Sequence, residues 1–207
     1  MKTEEILLHE NARAERYKFL SECYHVPDEK LIEMLCSLER ATKRSTRKGS
    51  VPDLLKNIPT IDDIEQLKIE YSRLFLGPFK VLVPPYGSVY LEYERRVMGE
   101  STIDVRMWYE KEKLDILLKE APDHIAIELE FMYFLVFKQI EATKDSDSAG
   151  AWNYQKKQAS FLNTHLGKWA PEFSDMVIKE ASLSFYRELA RLTKEFILLD
   201  SIGNYIN

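Results

Sequence analysis

The sequence predicts an all-α protein, a single-domain bundle of several helices interrupted by a proline-rich loop. Two observations favour this class. Apolar residues recur at helical spacing along most of the chain, and glycine (7) and proline (8) are too scarce for a sheet with many tight turns. The 207 residues suit one domain with a large core, and no shift in composition marks a second. We therefore expect one domain over residues 1–207.

The first part of the chain is predicted to form helices that a basic connector interrupts. Residues 3–25 carry an apolar stripe. Pro27 closes this helix, and the next one fades into the basic stretch from Lys43 to Lys48, which we interpret as a solvated connector. A short helix is expected over 52–57.

The middle of the chain contains the irregular segment. A helix is predicted over Ile61–Leu76, and Gly77 with the proline that follows it should end that helix. Residues 78–90 show no clear period, and Pro84-Pro85 prevents a regular helix there. Ser101 is a suitable N-cap for a helix that runs to Glu112.

The remaining part is predicted to be helical almost throughout. Pro122 and Asp123 are expected in the first turn of a helix that reaches Ala142 and forms the centre of the core, because its apolar face is wide. Residues 145–150 are expected to form a polar loop. The last helices are expected over 151–166, 172–181 and 184–202.

Composition excludes several functional classes. The net charge of −5 argues against nucleic-acid binding and fits a basic partner. Cys23 and Cys36 are interpreted as small buried residues, not as a disulfide framework. The N-terminus lacks the pattern of a signal peptide, and no apolar run is long enough to span a bilayer. We expect a cytoplasmic protein that does not insert into membranes.

The motifs of common enzymes are missing from the sequence. It contains neither glycine-rich phosphate loop, no His-Glu-x-x-His motif and no cysteine pair with metal spacing, so we expect no cofactor, no metal and no catalytic residues. The four histidines include His9 and His165, interpreted as surface or boundary residues. His124 is more distinctive, because Glu128 lies four residues further and can pair with it across one helical turn.

Several motifs occur in order between residues 65 and 140. The first is Tyr71-x-x-Leu-Phe-x-Gly-Pro78, and Pro84-Pro-Tyr-Gly-Ser-Val-Tyr-Leu-Glu92 follows it. Met98-Gly-Glu-Ser-Thr102 and Ala121-Pro-Asp-His124 complete the set. Together they resemble the TorD/DmsD/NarJ-type redox-enzyme maturation chaperones, and the DmsD-like branch most of all.

The chain departs from this pattern at two places. Ala121 precedes Pro122 where the family has glutamate, and Glu120 stands one position earlier. Tyr86 and Tyr90 occupy positions at which DmsD-like members often have tryptophan. The second departure bears on the identity of the client protein.

The resemblance implies a non-enzymatic cytoplasmic chaperone. Such proteins bind the twin-arginine leader of a molybdopterin-containing oxidoreductase. They hold the precursor of its catalytic subunit until the cofactor is inserted and the enzyme is assembled, and export follows. A receptor for this leader needs an apolar groove with acidic groups near one end. The peptide-binding residues expected on these grounds are Leu74, Phe75, Pro85, Tyr86, Ser88, Tyr90, Glu92, Gly99, Asp123, His124 and Glu128.

Two other functions remain open on the sequence alone. One is a helical regulatory module that binds another folded protein, and the other is a hydrolase that uses Asp123 and His124. The sequence also allows a homodimer, because the polar hinge at 143–150 between long helices permits exchange of helices.

Overall fold

The computed structural model of the chain describes residues 3–44, 63–77, 80–92, 97–115 and 120–203. The helix expected over 52–57, and Arg47 and Lys48 of the basic connector, lie outside these ranges. None of the described residues forms a strand, so the all-α class is confirmed. The helices are α1 (Thr3–Cys23), α2 (Glu29–Arg44), α3 (Ile64–Tyr71), α4 (Gly87–Leu91), α5 (Glu100–Lys111), α6 (Ile125–Lys144), α7 (Ser148–Thr164), α8 (Leu166–Glu180) and α9 (Ser184–Gly203).

Helix α6 lies at the centre of the bundle, as its wide apolar face predicts. It packs against α1 on one side and α7 on another, and α8 packs against α9. Leu129, Met132 and Val136 are fully buried on α6. Phe137, which belonged to the predicted apolar face, is 41% exposed and lies at the edge of that face.

A short π-helix, Ser72–Leu76, continues α3 directly and ends at Gly77. The Gly77 N–H donates to the Ser72 carbonyl at 2.7 Å, which closes the wider turn. Gly77 has φ 55°, and a Cβ there would lie 2.4 Å from the Lys80 carbonyl oxygen, so only glycine fits. The predicted end of this helix is confirmed.

Several helix starts differ from the prediction. Helix α4 forms directly after the prolines, within the segment expected to be irregular. Helix α5 begins at Glu100, so Ser101 is not its N-cap; the carboxylate of Glu92 accepts both the N–H and the hydroxyl of Ser101 instead. Helix α6 begins at Ile125, which leaves Pro122 and Asp123 before the helix.

Helix α8 starts earlier than expected and contains Pro171. A proline inside a helix removes one backbone hydrogen bond, but the neighbouring Trp169, Ala170 and Phe173 are fully buried and hold the helix in place. Just before α8, His165 is only 3% exposed, and its ring lies at the boundary of the core, 2.8 Å from the carboxylate of the exposed Asp104.

The described residues contain two cysteines, which form no disulfide with each other. Cys23 is buried and Cys36 is half-buried, and both are free thiols. Within the described ranges, no helix has both the length and the apolar character required to cross a bilayer.

Candidate peptide-binding site

Two motifs that lie far apart in the sequence meet through their backbones. Tyr86 and His124 form an isolated antiparallel bridge. The Gly87 N–H donates to the Asp123 carbonyl at 2.8 Å, and the Ile125 N–H donates to the Pro85 carbonyl at 2.9 Å. The bridge places the proline-rich segment against the start of α6, so these predicted site residues are brought together.

Asp123 stabilises the proline-rich segment and not helix α6, which follows it in the sequence. Its side chain is fully buried, and Oδ2 accepts the Ser88 N–H at 2.7 Å, in the first turn of α4. We expected this carboxylate to face the N-terminus of α6. It faces the N-terminus of α4 instead, because α6 begins two residues later.

His124 caps α6 in the neutral state. Its Nδ1 accepts the Ala126 N–H at 3.2 Å, which places the ring proton on Nε2. Burial lowers the pKa of His124 to about 4, repulsion from His25 adds to this, and the attraction of Asp123 opposes it. The imidazole is therefore uncharged at neutral pH.

The side-chain pair predicted between His124 and Glu128 does not form. Glu128 Oε2 accepts the indole N–H of Trp169 at 3.1 Å, and only its backbone N–H bonds to His124. Its carboxyl is fully buried, and burial raises its pKa well above the ordinary value. Glu128 is therefore a buried packing residue whose carboxyl is shifted towards the protonated form. It lies beneath Gly87, where a Cβ would be 2.9 Å from the Trp169 ring nitrogen.

The two tyrosines of the proline-rich segment are both half-buried. Tyr86 donates its hydroxyl to Glu120 Oε2 at 2.7 Å, and its ring lies edge-on to His124 with centroids 5.3 Å apart. Tyr90 stacks on Trp169 with centroids 5.5 Å apart and donates to the Pro84 carbonyl at 2.9 Å. Each ring is thus held in place while part of it stays accessible.

Glu92 and Gly99 contact each other at the start of α5. A Cβ on Gly99 would lie 1.7 Å from the Glu92 carboxylate, so glycine allows that carboxylate to reach Ser101. Both residues therefore hold α5 next to the end of α4.

The other predicted residues belong to the interior. Leu74 and Phe75 are buried, as are Pro85 and Ser88. The Leu74 carbonyl accepts the Val83 N–H at 2.9 Å, which ties the π-helix to the proline-rich segment. In this conformation these residues form the packed interior under the site and do not line its surface.

Sequence reasoning missed Trp169 as a site residue. It lies on α8, and no nearby motif in the sequence connects it with Tyr90 or Glu128. Glu120 was considered for the place of the family's glutamate but was not among the predicted binding residues, yet it is an exposed carboxylate in direct contact with Tyr86.

The arrangement suits recognition more than catalysis. The partly exposed Tyr86 lies beside the exposed carboxylate of Glu120, a combination that favours an apolar ligand with a cationic group. The Nδ1 of His124 already accepts a backbone N–H. In the described part of the chain, no group of three or more histidine, cysteine, aspartate or glutamate side chains is placed to hold a metal ion.

Comparison with known proteins identifies the family of the chain. The sequence model of the nitrate reductase delta subunit family matches residues 40–175. The chain is 29% identical to the chaperone protein TorD of Aliivibrio fischeri, over 73% of this chain and 72% of that protein. It is also 29% identical to the Tat proofreading chaperone DmsD of Salmonella typhi, over 63% of this chain and 58% of that protein.

A solved structure shares the fold. A protein from Archaeoglobus fulgidus, described as a redox enzyme maturation protein, superimposes with a TM-score of 0.59 at 24% identity, over 89% of this chain and 93% of that one. The family match covers more than half of the chain, and the curated relatives are chaperones of the kind that the motifs resemble. The chain therefore belongs to the nitrate reductase delta subunit family, which confirms the resemblance to TorD/DmsD/NarJ-type chaperones.

Proposed function

We propose that this protein is a cytoplasmic chaperone that binds the twin-arginine leader of a molybdopterin-containing oxidoreductase. It holds the precursor of the catalytic subunit while the cofactor is inserted and the enzyme is assembled, and so delays export. It catalyses no reaction. The relatives that are named TorD and DmsD chaperones support this class of function.

The observation that carries the proposal is the junction between the proline-rich segment and the start of α6. It presents the accessible part of Tyr86 beside the exposed carboxylate of Glu120, 2.7 Å from the tyrosine hydroxyl. A guanidinium group can pair with this carboxylate and stack on the ring. A ligand with adjacent arginines and an apolar stretch matches both groups.

The other residues of the predicted site have supporting roles in this proposal. Asp123 and Ser88 fix the proline-rich segment, and Glu128 supports it through Trp169. A rigid aromatic anchor loses little conformational entropy on binding, so this support contributes to affinity.

The test is isothermal titration with a synthetic peptide that has two adjacent arginines followed by leucine and alanine residues. Tyr86→Ala is expected to weaken binding by about 2 kcal/mol, as for other buried aromatic anchors. Tyr154→Ala is the matched control, because Tyr154 is also a half-buried tyrosine but lies on α7. Replacing the two arginines of the peptide by glutamines should weaken binding to the unaltered protein.

Two results would count against the proposal. A loss of less than about 0.5 kcal/mol for Tyr86→Ala would place Tyr86 outside the interface. Equal binding of the arginine and glutamine peptides would show that the arginine pair is not recognised. The leader would then not be the ligand, and a regulatory module that binds a folded protein would be favoured.

A further inference from the structure

Helices α1 and α2 enclose a cleft of about 760 Å³ that none of the predicted site residues lines. We call it the α1–α2 cleft and define it by Phe19 and Glu22 on α1, His25 and Val26 in the turn, and Leu31 and Met34 on α2. Its volume lies within the range of about 300–1,000 Å³ typical of ligand sites in proteins.

The walls of the cleft are largely apolar. On α2, Leu31, Met34 and Leu38 recur at the spacing of one helical face, and Phe19 faces them from α1. Val26 is 58% exposed at the turn that joins the helices. Methionine has an unbranched, adaptable side chain, so Met34 can pack against apolar groups of different shapes.

The charges around the α1–α2 cleft are mixed, with one more carboxylate than ammonium group. Three carboxylates line it, from Glu15, Glu22 and Asp28, against the ammonium groups of Lys18 and Lys30. The Lys18 ammonium lies 5.7 Å from the centroid of the Tyr133 ring on α6, which draws it towards that helix. The carboxylates therefore outnumber the cations, and an acidic ligand is disfavoured.

The turn end of the cleft adjoins the candidate site. Ser21, one residue before Glu22, donates its hydroxyl to the Ala126 carbonyl at 2.8 Å in the first turn of α6. The Tyr71 hydroxyl donates to the Tyr24 carbonyl at 3.3 Å. The end of α1 is thus anchored next to His124. His25, which lines the cleft, lies close enough to His124 to contribute to lowering its pKa, and the His124 ring lies 5.3 Å from that of Tyr86.

We propose that the α1–α2 cleft binds the apolar stretch that follows the arginine pair of the leader peptide. The arginines then lie near Tyr86 and Glu120, and the apolar side chains pack between Phe19 and Met34. The inference rests on the proposed function, because it assigns a second part of the same ligand to a second surface.

The test uses two fluorescein-labelled peptides and anisotropy titration. The long probe has two arginines followed by a run of leucine and alanine, and the short probe ends after the arginines. Val26→Ser combined with Met34→Ser is expected to weaken the long probe about tenfold, because apolar contact area is lost, and to leave the short probe unchanged. Leu199→Ser is the control, since Leu199 is 70% exposed on α9, outside the cleft.

A second measurement locates the peptide directly. A benzophenone group placed in the apolar run of the long probe should crosslink to residues of α1 and α2, Met34 among them, and Val26→Ser alone should weaken the long probe about twofold to threefold. Because Val26 is largely exposed, this single variant keeps the fold if the double variant does not.

The outcomes separate the two proposals. Unchanged binding of the long probe by the double variant, or crosslinks confined to other helices, would overturn the cleft assignment while the leader function stands. Failure of the unaltered protein to bind either probe would overturn both. If sedimentation shows a dimer that the double variant dissociates, with probe binding unchanged, the cleft is an interface between two copies and the proposal is wrong.

Discussion

At the scale of single residues, Glu128 shows how burial decides the state of a group. Its carboxyl is fully buried next to Trp169, and burial raises its pKa well above the ordinary value of 4.5. Between pH 4.5 and the higher folded-state pKa, the unfolded chain loses this proton and the folded chain retains it. The free energy of unfolding contributed by Glu128 therefore falls as the pH rises.

Glu128→Gln removes this titration and keeps an acceptor for the Trp169 indole. The stability of the variant relative to the unaltered protein is expected to increase from pH 5 to pH 8, measured by urea denaturation at several pH values. Glu130→Gln is the control, because Glu130 is exposed on the same helix. Parallel stability curves for Glu128→Gln and the unaltered protein would show that the carboxyl titrates equally in both states.

Individual site residues were predictable in position and less so in role. Asp123 and His124 were identified correctly as neighbours of the proline-rich segment, because the family that the motifs resemble implies one shared site. The predicted pairing of Glu128 with the His124 side chain was wrong, since helical spacing describes only contacts within α6. Its actual partner, Trp169, approaches from α8.

At the scale of elements, the start of α5 depends on a residue outside the helix. The Glu92 carboxylate accepts the N–H and the hydroxyl of Ser101, and Gly99 leaves room for it. Spacing rules assign caps to the residue that immediately precedes a helix, which is why Ser101 was predicted as the N-cap. A cap supplied from the preceding segment has no local signal.

A double-mutant cycle tests this cap. Glu92→Ala is expected to lower the free energy of unfolding by about 1 kcal/mol, as the loss of an N-cap does. Gly99→Ala should have a similar cost by displacing the carboxylate, and adding it to Glu92→Ala should cost little more. Denaturation in urea measures each variant, with Glu110→Ala on the exposed face of α5 as control. Additive effects would show that Glu92 and Gly99 act separately.

At the scale of the whole molecule, one ion pair connects distant parts of the chain. Glu70 on α3 binds Arg73 in the π-helix at 2.7 Å, and its Oε1 accepts the backbone N–H groups of Ser182 and Leu183 before α9. Arg73 donates to the Glu180 carbonyl at 2.6 Å, at the end of α8. The pair therefore joins the helix before the site to the turn between α8 and α9.

The ion pair predicts a specific response to acid. Burial alone would raise the pKa of Glu70, but the hydrogen bonds from Arg73, Ser182 and Leu183 outweigh it and lower the pKa below 4.5. This stabilisation is present above pH 4.5 and is lost as the pH falls through the lower folded-state pKa. Glu70→Gln should destabilise the protein at pH 7 and should lose less stability between pH 5 and pH 3.

Thermal unfolding followed by circular dichroism measures this difference. Glu65→Gln is the matched control, since Glu65 lies on the same helix with its side chain 73% exposed. If Glu70→Gln and Glu65→Gln responded alike to acid, the Glu70–Arg73 pair would not contribute to stability.

The all-α class was predictable because the helical spacing of apolar residues extends over most of the chain. The packing of α8 beside the proline-rich segment was not, because the stacking of Tyr90 on Trp169 depends on how the helices return across the bundle. Local patterns describe which face of a helix is buried; they do not specify the helix that covers it.

The bridge between Tyr86 and His124 also bears on how ligand preference can be altered. Both hydrogen bonds that join the two segments come from backbone groups of Pro85, Gly87, Asp123 and Ile125. The side chains of Tyr86 and its exposed neighbour Glu120 take no part in these two hydrogen bonds; the Tyr86 ring contacts His124, and its hydroxyl donates to Glu120. Libraries that vary positions 86 and 120 can therefore be screened for altered ligand preference while both backbone hydrogen bonds stay in place, which makes this junction a starting point for changing what the proposed site binds.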